Sequence, residues 1–531
     1  MAGVISKLIE EIDWRDQLAQ VLALAESIGY RKLAAGAVAG YVSWKIIYAS
    51  FFSPLRSIPG PFLARLTGLR SEYIAAAGKT GHYAESEYEK YGDIYVHGPN
   101  AVSISNPSDC RTLLGSHAFI KSDFYKSVDI LGVHNIFSTR DPLFNQMRRR
   151  QVGPSFTAGY LAKMEGKIIQ HGTLSLKTKW DGVIAKAEQD GTDAIININN
   201  DLLFTTFDVT GALAFGRNFN ALKNNDPTII EWVADAVMYF GLITNVPALL
   251  YFPFNLFVRR LKHHLLCLAD FSQESVDHRK NLLAQGEEKP GDLLAAFMDA
   301  VDPESKIRMS HTELLAEMVI TLMAGSETSS NTIMWTMHLL MLYPECYKRV
   351  VDEVRSTFDK DHTIRYNEGR QNLPYLEAVL YESMRVRPVA SGNWPRVVPR
   401  GGATFQGHFL PAGTIVIANF SGVSRHKDTW EDPYRFIPER FLDNEAVKRR
   451  IFAFSTGVRI CPGRNLAWME MVTILANMLK DYDFKLPDGA AFGPEICDEN
   501  GLPKLMAMKH FIVAQPLNGE HDARLIITKA N

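Results

Sequence analysis

The chain has 531 residues, of which 46% are hydrophobic, and a formal net charge of -2. It is long enough to bury a large core, either as one unusually big domain or as two lobes. The absence of a basic excess argues against a nucleic-acid partner. The five cysteines are odd in number and include no Cys-x-x-Cys pair, which argues against a disulfide scaffold and favours a reducing compartment.

The first 53 residues are predicted to be a membrane anchor. Residues 33–52 form an apolar run rich in small residues, and about twenty such residues can span a bilayer as a transmembrane helix. Lys45 and the many alanines and glycines make the run weakly hydrophobic, so a helix lying at the interface is the alternative. Residues 4–28 form a separate amphipathic stretch that we expect on the membrane surface.

A proline-rich segment follows at 54–62, with prolines at 54, 59 and 61. Proline fixes φ and keeps the preceding residue extended, so the segment cannot continue the helix. It is predicted to be a stiff hinge between the anchor and the catalytic body, residues 63–531.

The body is predicted to be mainly α with a small β part. Residues 94–97 and 413–418 alternate as strands do, whereas apolar residues at helical spacing dominate between 160 and 390. The longest helix begins at a capping box, Ser310 with Glu313, and continues to about residue 342. A second helix starts near 373 and must end before Pro388.

A polar patch interrupts the middle of the long helix at residues 324–330. Gly325 removes a side chain where a flat cofactor could pack, and Thr328 can bond back to a carbonyl and loosen the turn. Glu327 and Thr328 supply an acid and an alcohol in sequence, a pair able to relay protons to a bound ligand. Taken alone, the patch would be the exposed polar face of a helix.

Cys461 lies in a loop whose composition suits a thiolate ligand of haem iron. Such a ligand needs a dry pocket and hydrogen bonds from backbone N–H groups. Gly457 and Gly463 allow the backbone to approach the sulfur closely, and Arg459 can reach a haem propionate. A buried core cysteine is the alternative, but Phe454, the two glycines and the arginine favour the ligand.

The pattern of residues 454–463 resembles the cysteine loop of the haem-thiolate monooxygenases, the cytochrome P450 superfamily. Residues 324–328, Ala-Gly-Ser-Glu-Thr, are similar to the distal helix of that family, and the motif wording resembles its fungal members. The matching motifs run in the family's order from about 54 to 513. The resemblance implies a cytochrome P450 fold with an N-terminal membrane anchor. It also implies haem b held by the Cys461 thiolate, with Gly325 against the haem and with Thr328 and Glu327 catalytic in activating O2.

The same resemblance implies a structural triad. Glu382 and Arg385 stand one turn apart on a helix, and Arg440 lies in a segment that matches the third charged member in the family. The three side chains are expected to form a buried network that locks the cysteine loop against its supporting helix.

By resemblance, Arg149 and Arg396 join Arg459 in binding the haem propionates. Asn145 stands where the family usually has Trp or His, so the second propionate donor on that helix is left open. Arg148 and Arg150, which flank Arg149, are expected to face solvent.

The activity implied is the insertion of one oxygen atom from O2 into a hydrophobic small molecule, by hydroxylation, epoxidation or demethylation. The chain has no Gly-x-Gly-x-x-Gly motif after a strand and no flavin module. Electrons are therefore expected from NADPH through a separate NADPH-cytochrome P450 reductase, with cytochrome b5 as a further candidate donor. Basic residues at 448–450 and Arg464 would attract an acidic partner. The expected location is the endoplasmic reticulum membrane, with the catalytic domain facing the cytosol.

The substrate pocket is expected to be lined by residues 127–135, 322–324 and 389–392, which implies an apolar ligand. Aromatic acids, steroids, terpenes, fatty acids and fungal metabolites all remain open. The alternative activity is that of a haem-thiolate isomerase or dehydratase, which needs no reductase. A non-catalytic haem carrier or sensor is a third class. The intact Glu327 and Thr328 pair favours oxygen activation over both.

Overall fold

The computed structural model describes residues 29–287 and 290–530. The α-helices are α1 (Tyr30–Ile47), α2 (Phe62–Leu66), α3 (Leu69–Ala76), α4 (Thr80–Tyr91), α5 (Pro107–Gly115), α6 (Pro142–Val152), α7 (Ala158–Ala162), α8 (Glu165–Ile168), α9 (Ser175–Asp190), α10 (Ile198–Ala214), α11 (Ala221–Asn224), α12 (Thr228–Asn245), α13 (Arg259–Ala284), α14 (Leu293–Asp299), α15 (His311–Leu342), α16 (Pro344–Thr357), α17 (Tyr366–Asn372), α18 (Pro374–Val386), α19 (Phe420–Ser424), α20 (Glu445–Lys448), α21 (Arg464–Asp481) and α22 (Gly519–Asp522). The strands are β1 (Ile94–Gly98), β2 (Ala101–Ile104), β3 (Ile195–Asn197), β4 (Asn393–Val397), β5 (Ala403–Phe405), β6 (His408–Leu410), β7 (Ile415–Asn419), β8 (Tyr482–Lys485), β9 (Met508–His510), β10 (Ala514–Pro516) and β11 (Arg524–Lys529).

The prediction of a mainly helical fold with a small β part is confirmed. The largest sheet has the order β1-β2-β7-β4, in which β2 and β7 are parallel and the other pairs antiparallel. A three-stranded sheet, β3-β11-β8, and two hairpins, β5-β6 and β9-β10, complete the β part. The two predicted strands at 94–97 and 413–418 correspond to β1 and β7.

Helix α15 runs through the centre of the molecule and packs against α10, α13, α18 and α21. Its start is fixed by the predicted capping box: Glu313 N–H donates to Ser310 Oγ at 3.2 Å, and Ser310 N–H donates to Glu313 Oε2 at 2.8 Å. Nearly every side chain from Leu314 to Leu342 is buried. A helix buried on all sides suits the role of a rigid scaffold for a site built at its middle.

The proline-rich hinge is part of the body, which corrects the prediction of a spacer. Leu55 and Ile58 are buried in the same core as β1 and β2. Arg65 of α2 donates to the carbonyls of Leu55 and Ile58, and Val96 N–H donates to the Pro59 carbonyl at 2.8 Å. The prolines keep the chain extended so that it can pair with the edge of β1.

The predicted transmembrane helix at 33–52 is not supported. In the part of the chain that the structure describes, no helix is long and apolar enough to cross a membrane. Residues 30–47 form α1 and residues 48–52 a π-helical turn. Lys45 and the run of alanines and glycines keep this segment weakly hydrophobic, which is why the sequence also allows an alternative to a membrane-spanning helix. The amphipathic stretch at 4–28 lies outside the described residues.

Candidate active site

The backbone of the loop that carries Cys461 requires a glycine at position 457. Gly457 adopts φ +67°, and a Cβ placed there would lie 2.4 Å from the Leu114 carbonyl oxygen and 2.6 Å from the Gly115 Cα. Any other residue at 457 would force the loop away from α5. Cys461 N–H donates to the Phe454 carbonyl at 2.9 Å and closes the turn.

The thiol of Cys461 is held among backbone amides and cations. Burial raises its pKa, while the N–H groups of Gly463 and Arg464 and the charges of Arg149 and Arg464 act in the opposite direction. The residue nevertheless has an exposed surface, and the two observations agree if the sulfur faces an internal space. Gly463 contributes its amide rather than a steric gap, because a Cβ there would sit at an ordinary 3.9 Å from the sulfur.

Ala324 marks a second opening, on α15. It is exposed, although its neighbours along the helix are almost all buried. Thr328 lies one turn further on and donates from Oγ1 to the Ala324 carbonyl at 2.8 Å, as predicted. Gly325 was expected to make room for a flat cofactor, but a Cβ at this position would point towards Thr210 of α10 and approach it to 3.1 Å. Glycine at 325 allows close packing of two helices, and Ala324 is the residue that borders open space.

Glu327 is buried and points away from Thr328. Its side chain bonds Gln515, and Oε2 has no partner among the described residues. Burial raises the pKa of Glu327 to about 7. Successive residues on a helix point about 100° apart, so the predicted acid and alcohol do not bond each other directly. The Glu327 carboxyl is therefore able to hold a proton near neutral pH.

Four cations gather beside the cysteine loop, and three of them are the predicted Arg149, Arg396 and Arg459. The fourth is Lys121, which is 5% exposed and pairs through its backbone with Arg396. Burial and the charges of the three arginines hold the pKa of Lys121 well below its usual range, and burial together with Arg396 and Arg149 lowers that of Arg459 to about 10. Within the described ranges, none of the four forms an ion pair with a carboxylate.

The hydrogen bonds of the four cations reach only neutral groups. Arg149 donates to the Ile460 carbonyl at 2.6 Å, and its Nε has no partner in the part of the chain that the structure describes. Arg396 donates to Tyr125 Oη at 3.0 Å. His117 lies nearby with an unpartnered Nδ1, and burial beside Arg459 lowers its pKa. Two of the four cations are buried and two half-buried, and like charges without counter-ions among the described residues call for a bound anion. Next to a cysteine thiol held by backbone amides, this cluster fits the two propionates of a haem.

Lys121 and His117 are site residues that sequence reasoning missed. They stand in a loop of ordinary composition after α5, and no spacing sets them apart. Asn145, in contrast, does not contribute to the cluster, because its amide donates to the Ile136 carbonyl at 3.4 Å. Lys121 is the better candidate for the donor that was left open there.

The expectation for the two flanking arginines is wrong for Arg148. Its side chain is fully buried and lies 2.7 Å from Glu313 Oε1 and 3.1 Å from Glu317 Oε1. Arg150 is less buried and pairs with Asp302 at 2.6 Å.

The three members of the predicted triad meet in the structure. Arg385 donates from Nε and from Nη2 to the two oxygens of Glu382, each at 2.7 Å, and both residues are fully buried. Arg440 lies 3.4 Å from Glu382 Oε1, which also accepts the Ile437 N–H at 2.8 Å. The network ties α18 to the segment that leads into the cysteine loop.

A largely apolar cavity, partly open to solvent, lies between α12, the β9-β10 turn and the segment that carries Phe124, Val128 and Phe137. It shares with the predicted lining only Val128 and Gly392. The other lining residues were not predicted, and they are Ala75, Thr80, Phe124, Phe137, Phe240, Gly241, Thr244, Asn245, Trp394, Phe511 and Ile512. The end of α12 and the β9-β10 turn close the cavity, which no local sequence pattern could indicate.

Comparison with known proteins identifies the family. The family model described as Cytochrome P450 matches residues 60–506. The chain is 45% identical over 515 residues to cytochrome P450 monooxygenase helB1 of Aspergillus fumigatus, covering 97% of this chain and 88% of that protein. It is 43% identical to helB2 of the same fungus, covering 93% of this chain and 98% of that protein. A crystal structure of the cytochrome P450DA heme domain superposes with a TM-score of 0.72 at 18% identity, over 89% of this chain and 98% of that one, which shows the shared fold.

The fold and the cysteine site define a haem-thiolate protein. The chain belongs to the cytochrome P450 family, and its relatives make it a monooxygenase, an oxidoreductase that uses haem and O2.

Proposed function

We propose that this monooxygenase inserts one oxygen atom from O2 into an apolar small molecule, with electrons passed from NADPH by a separate reductase. The observation that carries the proposal is the Cys461 thiol, held by two backbone amides beside four cations that lack counter-ions. When bound there, haem supplies the iron that binds and reduces dioxygen. Arg149, Arg396, Arg459 and Lys121 would hold its propionates.

Two residues of α15, Thr328 and Glu327, would supply the protons that the reaction needs. Thr328 keeps its hydroxyl beside the opening at Ala324. Glu327, with a pKa raised to about 7, is suited to give up and regain a proton near neutral pH. Because the two side chains do not bond each other, a water between them would carry the proton from the acid to the alcohol.

The cavity supports an apolar substrate with few polar groups. Its walls are mainly aromatic and aliphatic, and Thr80, Thr244 and Asn245 offer the polar contacts. One end of an otherwise apolar molecule would bond to these residues. The lining therefore favours a largely apolar substrate over a charged one.

The proposed electron donor is the NADPH-dependent diflavin reductase, with cytochrome b5 as a second donor. Arg449, Arg450 and Arg464, close to the cysteine loop in sequence, are exposed and would attract an acidic partner. Lys448 does not belong to this basic surface, because it pairs with Glu377 and Glu445 at 2.6 and 2.9 Å.

We propose that the protein works at the cytosolic surface of the endoplasmic reticulum membrane. Large apolar side chains are exposed near the N-terminus and again after α12, and α12 packs on α3. The exposed residues are Phe51, Phe52, Phe62, Leu63, Leu69, Tyr73, Leu250, Tyr251, Phe252, Phe254, Leu256 and Phe257. Such a patch suits contact with lipid head groups and the outer acyl chains.

The test is a reconstitution of the purified holoprotein with the reductase, NADPH and a panel of apolar metabolites under ¹⁸O2. The proposal predicts a product that carries one ¹⁸O atom and forms only when reductase and NADPH are present. A product formed without either, and free of ¹⁸O, would instead identify an isomerase or dehydratase. A haem that binds carbon monoxide but gives no turnover with any member of the panel would favour a carrier or sensor.

A further inference from the structure

Arg148 and Glu317 form a buried ion pair between α6 and α15. Glu317 is 1% exposed and Arg148 is not exposed at all, and Arg148 Nε lies 3.1 Å from Glu317 Oε1. Two ions removed from water lose solvation energy that their attraction only partly returns. A buried ion pair of this kind contributes little net stability. Its role therefore follows from the groups that it holds in place.

The Glu317 carboxylate also binds the backbone of a neighbouring loop, residues 135–139. The Ile136 N–H donates to Glu317 Oε1 at 2.8 Å. Inside the loop, Asn135 Oδ1 accepts the N–H groups of Phe137 and Ser138 at 2.9 and 2.8 Å. The loop is therefore a compact turn, and Glu317 is its attachment to α15.

The other side of the 135–139 loop is attached to the cation cluster. Lys121 donates to the Phe137 carbonyl, and Arg459 donates to the Thr139 carbonyl at 3.4 Å. Between these attachments the Phe137 ring projects into the wall of the cavity. It packs edge-on against Trp394, with ring centroids 6.1 Å apart, and Trp394 lines the same cavity.

We propose that Glu317 and Arg148 are positioning residues that hold the 135–139 loop, and with it Phe137, in the wall of the substrate cavity. Arg148 places a cation 3.1 Å from the carboxylate, the carboxylate holds the Ile136 amide, and the loop presents the Phe137 ring. The inference rests on the proposed function in one respect, which is that the cavity lined by Phe137 receives the substrate.

The pair also gives the loop a dependence on pH. The groups that face Glu317 are Arg148, Glu313 and the Ile136 amide, and burial raises the pKa of Glu317 to about 7. A carboxylate accepts a hydrogen bond from an amide more strongly than a protonated acid does. The attachment is therefore stronger above pH 7 and weaker below it.

The direct test is amide hydrogen exchange of the peptide that contains Ile136, in the holoprotein at pH 8, for the wild type and Glu317→Gln. We expect exchange about tenfold faster in the variant, the equivalent of about 1.4 kcal/mol, which is in the range for a hydrogen bond to a charged group. The matched control is Glu313→Gln. It removes the other carboxylate on Arg148 but retains a capping box, and it should leave the exchange unchanged.

Ligand binding supplies a second measurement. On this proposal the phenyl group of 4-phenylimidazole contacts Phe137, whereas imidazole alone does not. Glu317→Gln should therefore weaken the binding of 4-phenylimidazole and leave that of imidazole unchanged, and Phe137→Ala should do the same. If Glu317→Gln gives no holoprotein, the double variant Glu317→Gln with Arg148→Met takes its place. It leaves no buried cation without a partner, and the partly exposed Glu313 retains the Ser310 amide at 2.8 Å. Unchanged exchange and unchanged 4-phenylimidazole binding in a holoprotein that binds carbon monoxide normally would overturn the inference. Neither measurement needs turnover, so failure of the proposed function would show separately.

Discussion

Replacing Arg385 by alanine removes the centre of the buried charge network. Arg385 makes two hydrogen bonds to Glu382, both of 2.7 Å, and three to the carbonyls of Ser424, Pro433 and Arg435, of 3.0, 2.6 and 2.8 Å. Arg385 and Glu382 are both fully buried, so the Glu382 carboxylate cannot exchange the lost guanidinium for bulk water.

The expected loss of stability in Arg385→Ala depends on the partners that Glu382 retains. Glu382 would retain the Ile437 amide at 2.8 Å and Arg440 at 3.4 Å, but it would lose its fully buried counter-ion at 2.7 Å. Removing one partner of a buried ion pair typically costs about 3–5 kcal/mol. That is a large part of the roughly 5–15 kcal/mol that stabilises a folded protein, and here it falls on the segment that leads into the cysteine loop. We expect Arg385→Ala to be recovered without haem.

The assay is the haem content of the purified variant, together with its free energy of unfolding in urea. Arg349→Ala is the control, because Arg349 pairs with Glu439 at 2.7 Å on the same side of the molecule but is half exposed. An exposed pair contributes about 0–1 kcal/mol, so this variant should retain its haem. A normal haem content in Arg385→Ala, with an unfolding free energy within about 1 kcal/mol of the wild type, would refute the reasoning.

Four further predictions concern the site itself. Gly457→Ala should abolish haem incorporation, because its Cβ would meet the Leu114 carbonyl at 2.4 Å, and a haem content equal to that of Gly463→Ala would contradict this. Thr328→Ala should divert NADPH into hydrogen peroxide while NADPH oxidation continues, whereas full coupling to product would exclude a role for the hydroxyl. In the wild type, the fraction of oxidised NADPH that yields product should fall as pH rises through about 7, where Glu327 loses its proton. Glu327→Gln should not show this dependence on pH. Lys121→Met should release haem to apomyoglobin at least tenfold faster than the wild type, since the cation has no carboxylate partner of its own, and an unchanged rate would remove Lys121 from the cradle.

Local patterns predicted much of the fold and the site. The capping box at Ser310, the proline that ends α18 and the alternation in β1 are each decided by a few neighbouring residues, and the structure has all three. The Glu382 and Arg385 pair follows from helical spacing. The meeting with Arg440 came instead from the resemblance to a known family.

The features that were missed depend on how elements pack. Arg148, Arg149 and Arg150 have the same side chain, and only the rotation of α6 against α15 decides that Arg148 is the buried one. Gly325 faces α10 rather than open space for the same reason. The packing of the hinge could have been predicted from Leu55, because an apolar side chain between prolines suggests that the segment packs against the body.

The central claim is that Cys461 provides a thiolate to haem iron that is open to a second ligand. The reduced carbon-monoxide difference spectrum of the purified protein, compared with that of Cys461→Ser, tests it most directly. The account predicts a strongly red-shifted Soret band that disappears in the variant. A well-folded holoprotein without that band, or a variant that retains it, would contradict the account.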